Sequence, residues 1–151
     1  WRISLYHQSS HLGDEFLLRT MPKRIELSYE AVNVVGSVNR GDWRFYGGGE
    51  GMVHKVPHDL RPLSIQAGIE YRSPNTAWGS GFPVVGFDMK SYQEHSWAIN
   101  STLNAGLEYR GDPPGNRYLR VLLEGYKGFM PHGQFYTDRV SYYGLGLYLG
   151  Y

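Results

Sequence analysis

The sequence has no cysteine, no long apolar run and almost no net charge. Without cysteine, the chain has neither disulfides nor thiolate metal sites. A formal net charge of +1 gives no sign of a nucleic-acid partner. No stretch approaches the ~20 apolar residues that a membrane-spanning helix requires. These absences exclude a disulfide scaffold and a helical membrane protein.

Glycine and tyrosine are abundant instead, with 20 Gly and 13 Tyr among 151 residues. This length predicts one domain, residues 1–151, with a core of its own. The mean hydropathy of −0.44 is ordinary for a soluble protein. It is equally ordinary for a transmembrane β-barrel, because barrel strands alternate lipid-facing and lumen-facing residues.

Apolar and polar residues alternate with a period of two along most of the chain, which predicts strands rather than helices. In the second strand the alternation slips by one residue, so we expect a β-bulge near Ala31. Turn clusters such as "NRGD" and "GDPPGN" separate the strands. Eight strands are predicted, at residues 1–8, 23–38, 43–53, 62–72, 82–92, 96–110, 117–128 and 139–151.

The last strand, "RVSYYGLGLYLGY", decides the predicted fold class. Leu145, Leu147 and Leu149 share one face with Tyr143 and the final Tyr151. A terminal aromatic in phase with apolar residues is typical of the C-terminal strand of bacterial outer-membrane barrels. An edge strand of an ordinary β-sandwich is the alternative. We therefore predict a transmembrane antiparallel up-and-down β-barrel of eight strands, in the bacterial outer membrane, with its C-terminus at the periplasmic face.

The faces opposite the apolar ones carry charges of both signs, which predicts an inner face that is filled by ion pairs. An eight-stranded barrel is just wide enough for side chains to fill it, and buried charges are tolerated there only when paired. The predicted inward charges are Arg2, Arg24, Arg44, Arg72, Lys90, Arg110, Arg120, Glu26, Glu30, Glu50, Glu70, Asp88, Glu108 and Glu124. The predicted external loops are residues 7–23, 54–62, 93–95 and 128–138.

Four segments, "YHQSSHLGDEFLLR", "QAGIEYRSP", "GQFYTDRV" and "YYGLGLYL", resemble the domain of unknown function 1207 family, a set of predicted bacterial outer-membrane β-barrel proteins. The resemblance covers nearly the whole chain. It implies an envelope location and a barrel fold, and no established activity. Family members carry extra N-terminal sequence, whereas this sequence opens at Trp1 within a strand pattern and without a signal peptide. A larger barrel that forms a small pore is therefore retained as an alternative.

His7 and Ser9 are the candidate catalytic residues, since residues two apart on a strand point the same way. The pair resembles the His and Ser of outer-membrane phospholipase A and the lipid A deacylase, which implies hydrolysis of outer-leaflet lipid. The third group of such a site would be Asp14 or Glu15. Ile25, Leu27 and Tyr29 are expected to face lipid, which turns Glu26 and Glu30 inward and away from His7.

The same segment is a candidate metal site, because imidazole and carboxylate groups suit zinc, copper or nickel. His7, His11, Asp14 and Glu15 would supply the ligands, and His54, His58 or Asp59 could join them. The alternative to a metal site is that these histidines are ordinary polar residues of long external loops. Apart from this divalent metal, no cofactor is expected.

The leading functional hypothesis is a structural or interaction role without catalysis. The barrel would contact outer-membrane lipid and lipopolysaccharide, and its external loops would dock an envelope or cell-surface protein. Lipid hydrolysis by His7 and Ser9 and a small pore are the alternatives. No nucleic-acid partner is expected.

Overall fold

Strands in which apolar and polar residues alternate make up most of the chain. The structure is a computed structural model, and it describes residues 1–10, 27–111, 117–131 and 133–150. All eight predicted strands are present. They are β1 Arg2–Ser10, β2 Leu27–Arg40, β3 Trp43–Val56, β4 Leu63–Arg72, β5 Phe82–Tyr92, β6 Ile99–Arg110, β7 Tyr118–Phe129 and β8 Arg139–Gly150.

Helical structure among the described residues is limited to two short 3-10 turns, Gln93–His95 and Gly133–Phe135. In this part of the chain no helix has the length and apolar character needed to cross a bilayer.

The strands form one antiparallel sheet in which each strand pairs with its neighbours in sequence, in the order β1 to β8. This up-and-down order confirms the predicted topology. Within the described residues no ladder joins β8 to β1, so the sheet has two free edges. The sheet is a curled half-barrel, and the twist of its strands bends it around its inner face.

Ion pairs across the concave face show how far the sheet curls. Nη1 of Arg120 on β7 lies 3.9 Å from Oε2 of Glu70 on β4, although β5 and β6 lie between these strands. Nζ of Lys90 on β5 lies 3.6 Å from Oε2 of Glu50 on β3. Contacts between strands that are not neighbours require a concave surface, so the charged face is the inner one.

Several of the predicted inward charges form ion pairs, as the alternation predicts. Glu108, only 3% exposed, accepts hydrogen bonds from Nε of Arg110 at 2.8 Å and from Nε of Arg120 at 2.7 Å. Asp88 accepts from the hydroxyl of Tyr46 at 2.6 Å and from Nε2 of Gln66 at 3.1 Å. Each of these carboxylates therefore has partners that offset its desolvation.

The predicted orientation of β2 is wrong at its beginning. Leu27 and Tyr29 are buried on the inner face, and Glu30 is exposed on the outer face. The register does shift where a bulge was predicted, between Glu30 and Ala31, but the extra residue is Val53 of β3. Because β2 itself contains no extra residue, its alternation runs unbroken and its apolar side chains change face.

The buried apolar core lies at one end of the sheet. It consists of Leu27, Tyr29, Ala31 and Leu60, with Tyr6, Met52 and Tyr136 packed against it. We call this end the loop end, because residues 57–62, 93–98 and 130–138 connect strands there. The opposite end, with the connections at residues 41–42, 73–81 and 111–117, is the turn end.

Candidate functional site

Four of the polar side chains on the outer face of β1, β2 and β3 near the loop end are His7, Ser9, Glu30 and His54. We call them the rim cluster. His7 lies directly opposite Glu30 in the β1–β2 ladder, and Glu30 lies opposite His54 in the β2–β3 ladder. Ser9 lies two residues beyond His7 on the same face of β1, where both are exposed.

The two histidines hold the Glu30 carboxylate from both sides. Nδ1 of His7 lies 3.7 Å from Oε1, and Nδ1 of His54 lies 3.5 Å from Oε2. The side chains of His7 and Glu30 are 57% and 51% exposed, so water screens these pairs and each adds little stability in water. The contact orients the His7 ring with Nδ1 toward Glu30 and leaves Nε2 directed away from it.

The structure brings together only part of the catalytic set that the sequence predicts. His7 and Ser9 share the outer face of β1, as the alternation requires. The orienting candidates Asp14 and Glu15 lie outside the described residues, so no contact of theirs with His7 is described. The position predicted for Glu30 is wrong, because Glu30 faces outward and contacts His7.

The structure describes the predicted metal site only in part. His11, Asp14 and Glu15 lie outside the described residues. Within residues 1–10, 27–111, 117–131 and 133–150, no three His, Asp or Glu side chains are arranged to hold a metal ion. His7 and His54 do not converge on a shared point, since each meets a different oxygen of Glu30. His58 and Asp59 are both exposed in the neighbouring connection.

A cavity opens at the loop end of the inner face. Two connections shape it: Met52 N donates to Pro62 O at 2.9 Å, and Met130 N donates to Asp138 O at 2.7 Å. Its wall is mainly apolar and aromatic, and it includes Leu27, Tyr29, Met52, Leu60, Tyr92, Tyr126, Phe129, Met130 and Tyr136.

His95 packs against the aromatic side chains of this wall. Its ring stacks on Phe129 at 3.8 Å between centroids and meets the edge of Tyr92 at 5.7 Å. Burial lowers the pKa of His95, and the nearby Glu94 carboxylate opposes this effect. Burial also raises the pKa of Tyr136. A neutral imidazole and aromatic rings suit an apolar ligand or an apolar side chain of a partner.

A family model described as a protein of unknown function, DUF1207, matches residues 1–151. The chain belongs to this family. The resemblance found in the four sequence segments is thereby confirmed over the full length. No curated protein and no solved structure matches the chain.

Sequence reasoning missed two features of this DUF1207 chain. The first is the outward position of Glu30 beside His7. Val34 faces outward, and every second residue of a strand shares its face, so Glu30 must face outward as well. The second is the cavity around His95. Its wall combines β1, β2, β3, β5, β6 and β7 with three connections, and no local pattern in the sequence reports which loop residues pack together.

Proposed function

We propose that the chain is a β-barrel protein of the bacterial outer membrane that docks an envelope or cell-surface protein at its loop end. The observation that carries the proposal is the apolar outer face. Leu145, Leu147 and Leu149 of β8 are 68%, 68% and 85% exposed. Trp43, Ile65, Val85 and Leu103 continue this exposed face on β3 to β6. An apolar surface this extensive is rare on soluble monomers and marks a lipid or protein contact.

The paired charges on the inner face support the same proposal. A water-soluble barrel has its apolar residues inside, whereas here Glu108 and Arg120 lie inside and leucines lie outside. Lipid removes the penalty for the outward leucines, since it replaces water at the apolar face. The side chains on that face would contact membrane lipid, including lipopolysaccharide in the outer leaflet.

The loop end is proposed to face the cell exterior. Outer-membrane barrels have short periplasmic turns and longer external loops. β2 and β3 are joined at the turn end by only Gly41 and Asp42, and the C-terminal strand also ends there. β1 ends at Ser10 and β2 begins at Leu27, both at the opposite end of the sheet.

The cavity supports docking at the loop end. Interface energy is concentrated where an apolar or aromatic anchor fills a desolvated pocket. The aromatic wall of this cavity is suited to receive one such side chain. Arg61 and Glu94 lie at its lining, where the Arg61 backbone N donates to Glu94 Oε2 at 2.8 Å. These groups would give the rim of the contact a polar border.

Quenching of tryptophan fluorescence by brominated phospholipid tests membrane insertion. Trp43 and Trp97 are exposed near opposite ends of the sheet. In vesicles carrying bromine at defined acyl positions, both residues should be quenched most by bromine near the headgroups. Single-tryptophan variants separate the two signals. Absence of quenching, together with a folded protein in detergent-free buffer, would contradict insertion.

Site-directed photocrosslinking in native membranes tests docking. A photoreactive residue at Pro131, an exposed position at the cavity lining, should yield one discrete protein adduct. The matched control is the same residue at Ser73, in the turn-end connection. Leu60→Glu should remove the Pro131 adduct, because it places a charge in the apolar wall. Equal adducts at Pro131 and Ser73, or none at Pro131, would contradict docking at the loop end.

A further inference from the structure

We infer that Ser9, His7 and Glu30 form an acyl-ester hydrolase site that faces membrane lipid. The inference rests on the proposed membrane location, because the site lies on the face assigned to lipid. Ionisable side chains on such a face are costly and are retained mainly for function. The rim cluster places one carboxylate and two imidazoles on a face otherwise occupied by side chains such as Leu5 and Val34.

The geometry assigns a role to each side chain. His7 and Ser9 are separated by two residues of strand, about 7 Å along β1, a distance that an imidazole and a hydroxymethyl group can span. With Nδ1 of His7 3.7 Å from Glu30 Oε1, the Nε2 atom is available as the base for the Ser9 hydroxyl. Glu30 is a positioning residue, which holds the ring and stabilises the imidazolium that forms during reaction.

His54 strengthens the assignment of Glu30. It approaches the second carboxylate oxygen at 3.5 Å, so the half-exposed Glu30 carboxylate lies between the imidazoles of the two neighbouring strands. A carboxylate bound on both sides stays directed at His7. This arrangement spans three adjacent strands, and the rigidity of the sheet preserves the alignment that nucleophilic catalysis requires.

The position of the cluster identifies the class of substrate. Ser9 is one residue from the end of β1 at the loop end, and Leu5 and Val53 expose apolar side chains nearby. In a bilayer this is the depth where fatty-acyl esters join the headgroup region to the acyl chains. The substrate is therefore a carboxylic ester of a fatty acid in a membrane lipid, either a phospholipid or an acylated lipopolysaccharide.

The reaction proceeds in two balanced steps. The Ser9 oxygen bonds to the ester carbonyl carbon while its proton moves to His7 Nε2, and the carbon–oxygen bond to the lipid alcohol then breaks as His7 protonates that alcohol. In the second step a water molecule bonds to the acyl carbon and gives its proton to His7. The bond to Ser9 breaks, Ser9 recovers the proton, and a free fatty acid leaves.

The test is fatty-acid release by the folded chain in lipid vesicles, measured by mass spectrometry. One arm uses phosphatidylglycerol and phosphatidylcholine, and the other adds lipid A, so the arms distinguish the two ester sources. Ser9→Ala and His7→Gln should each lower release at least ~100-fold. Ser28→Ala is the matched control, since Ser28 lies opposite Ser9 in the ladder, and it should retain the wild-type rate.

A rhodamine fluorophosphonate provides a second readout that does not depend on the lipid. It should label the wild-type chain and Ser28→Ala, and it should not label Ser9→Ala. Glu30→Gln should slow labelling ~10-fold or more, because the negative charge of the carboxylate positions His7. Glu30→Asp keeps a carboxylate and should therefore retain part of the wild-type rate. A labelling rate unaffected by Glu30→Gln would remove Glu30 from the site.

Tryptophan quenching in the same vesicles separates failure of this inference from failure of the membrane proposal. Quenched tryptophans without fatty-acid release and without labelling of Ser9 would overturn the hydrolase site and leave the membrane proposal standing. Unquenched tryptophans would overturn both. Release that persists in Ser9→Ala would also overturn the site, since another group would then be responsible.

Discussion

Arg120 on β7 and Glu70 on β4 lie 3.9 Å apart across the concave face, from Nη1 to Oε2. The contact skips β5 and β6, so it joins parts of the sheet that backbone hydrogen bonds do not join directly. Arg120 also donates to Glu108 at 2.7 Å, and Glu108 accepts from Arg110. Arg110, Glu108, Arg120 and Glu70 therefore form one connected ion-pair network on the inner face, which joins β4, β6 and β7.

Glu108→Gln should lower the free energy of unfolding by about 3 kcal/mol, because it leaves two guanidinium groups without their shared carboxylate. Urea titration of the protein in vesicles measures the change. The matched control is Glu124→Gln, whose carboxylate has a weaker contact, a hydrogen bond of 3.4 Å from the Tyr148 hydroxyl. Equal losses in the two variants would show that the network is not a special source of stability.

Leu145→Arg should distinguish a lipid-facing position from a water-facing one. Leu145 is 68% exposed and lies near the middle of β8. In lipid the substitution should make folding into vesicles less favourable by about 2–4 kcal/mol, whereas at a water-exposed position it should change stability by less than ~0.5 kcal/mol. Leu149→Arg is the control near the strand end, and its effect should be about 1 kcal/mol or less.

Gly106→Ala should destabilise the β6–β7 pair. A Cβ atom at Gly106 would lie 2.0 Å from the backbone oxygen of Val121, which cannot move without distorting the ladder. We expect a loss of about 1–3 kcal/mol in the free energy of unfolding, measured by urea titration. Gly144→Ala is the control, since nothing lies within 4 Å of its Cβ position. A neutral Gly106→Ala would mean that β6 and β7 are less closely apposed.

Lowering the pH should loosen the wall of the loop-end cavity. The folded-state pKa of His95 is lowered by burial from its ordinary value of 6.5, so the unfolded state binds a proton more readily than the folded state. The stability contributed by neutral His95 is present above about pH 6.5 and is lost as the pH falls toward the folded pKa. Unfolding midpoints at pH 7.5 and 5.5 should therefore differ more in the wild type than in His95→Gln.

Much of the fold is determined by period-two alternation. The range of β5, residues 82–92, is identical in prediction and structure, and the outward leucines of β8 are where the pattern places them. Alternation could also place His7 and Ser9 on one face, because it concerns residues two apart on one strand. These features depend on local geometry alone, which the sequence carries directly.

Only the tertiary structure decided which face is inner at the beginning of β2, and with it the composition of the candidate site. The apolar residues of β2 lie inside at Leu27 and Tyr29 and outside at Val34. A prediction from hydrophobicity alone therefore assigned Glu30 to the wrong face. The extra residue at Val53 belongs to the partner strand, where no pattern in β2 could reveal it. Alternation says which residues share a face, whereas the contacts of His7 with Glu30 and of His95 with Phe129 depend on how separate strands and connections pack.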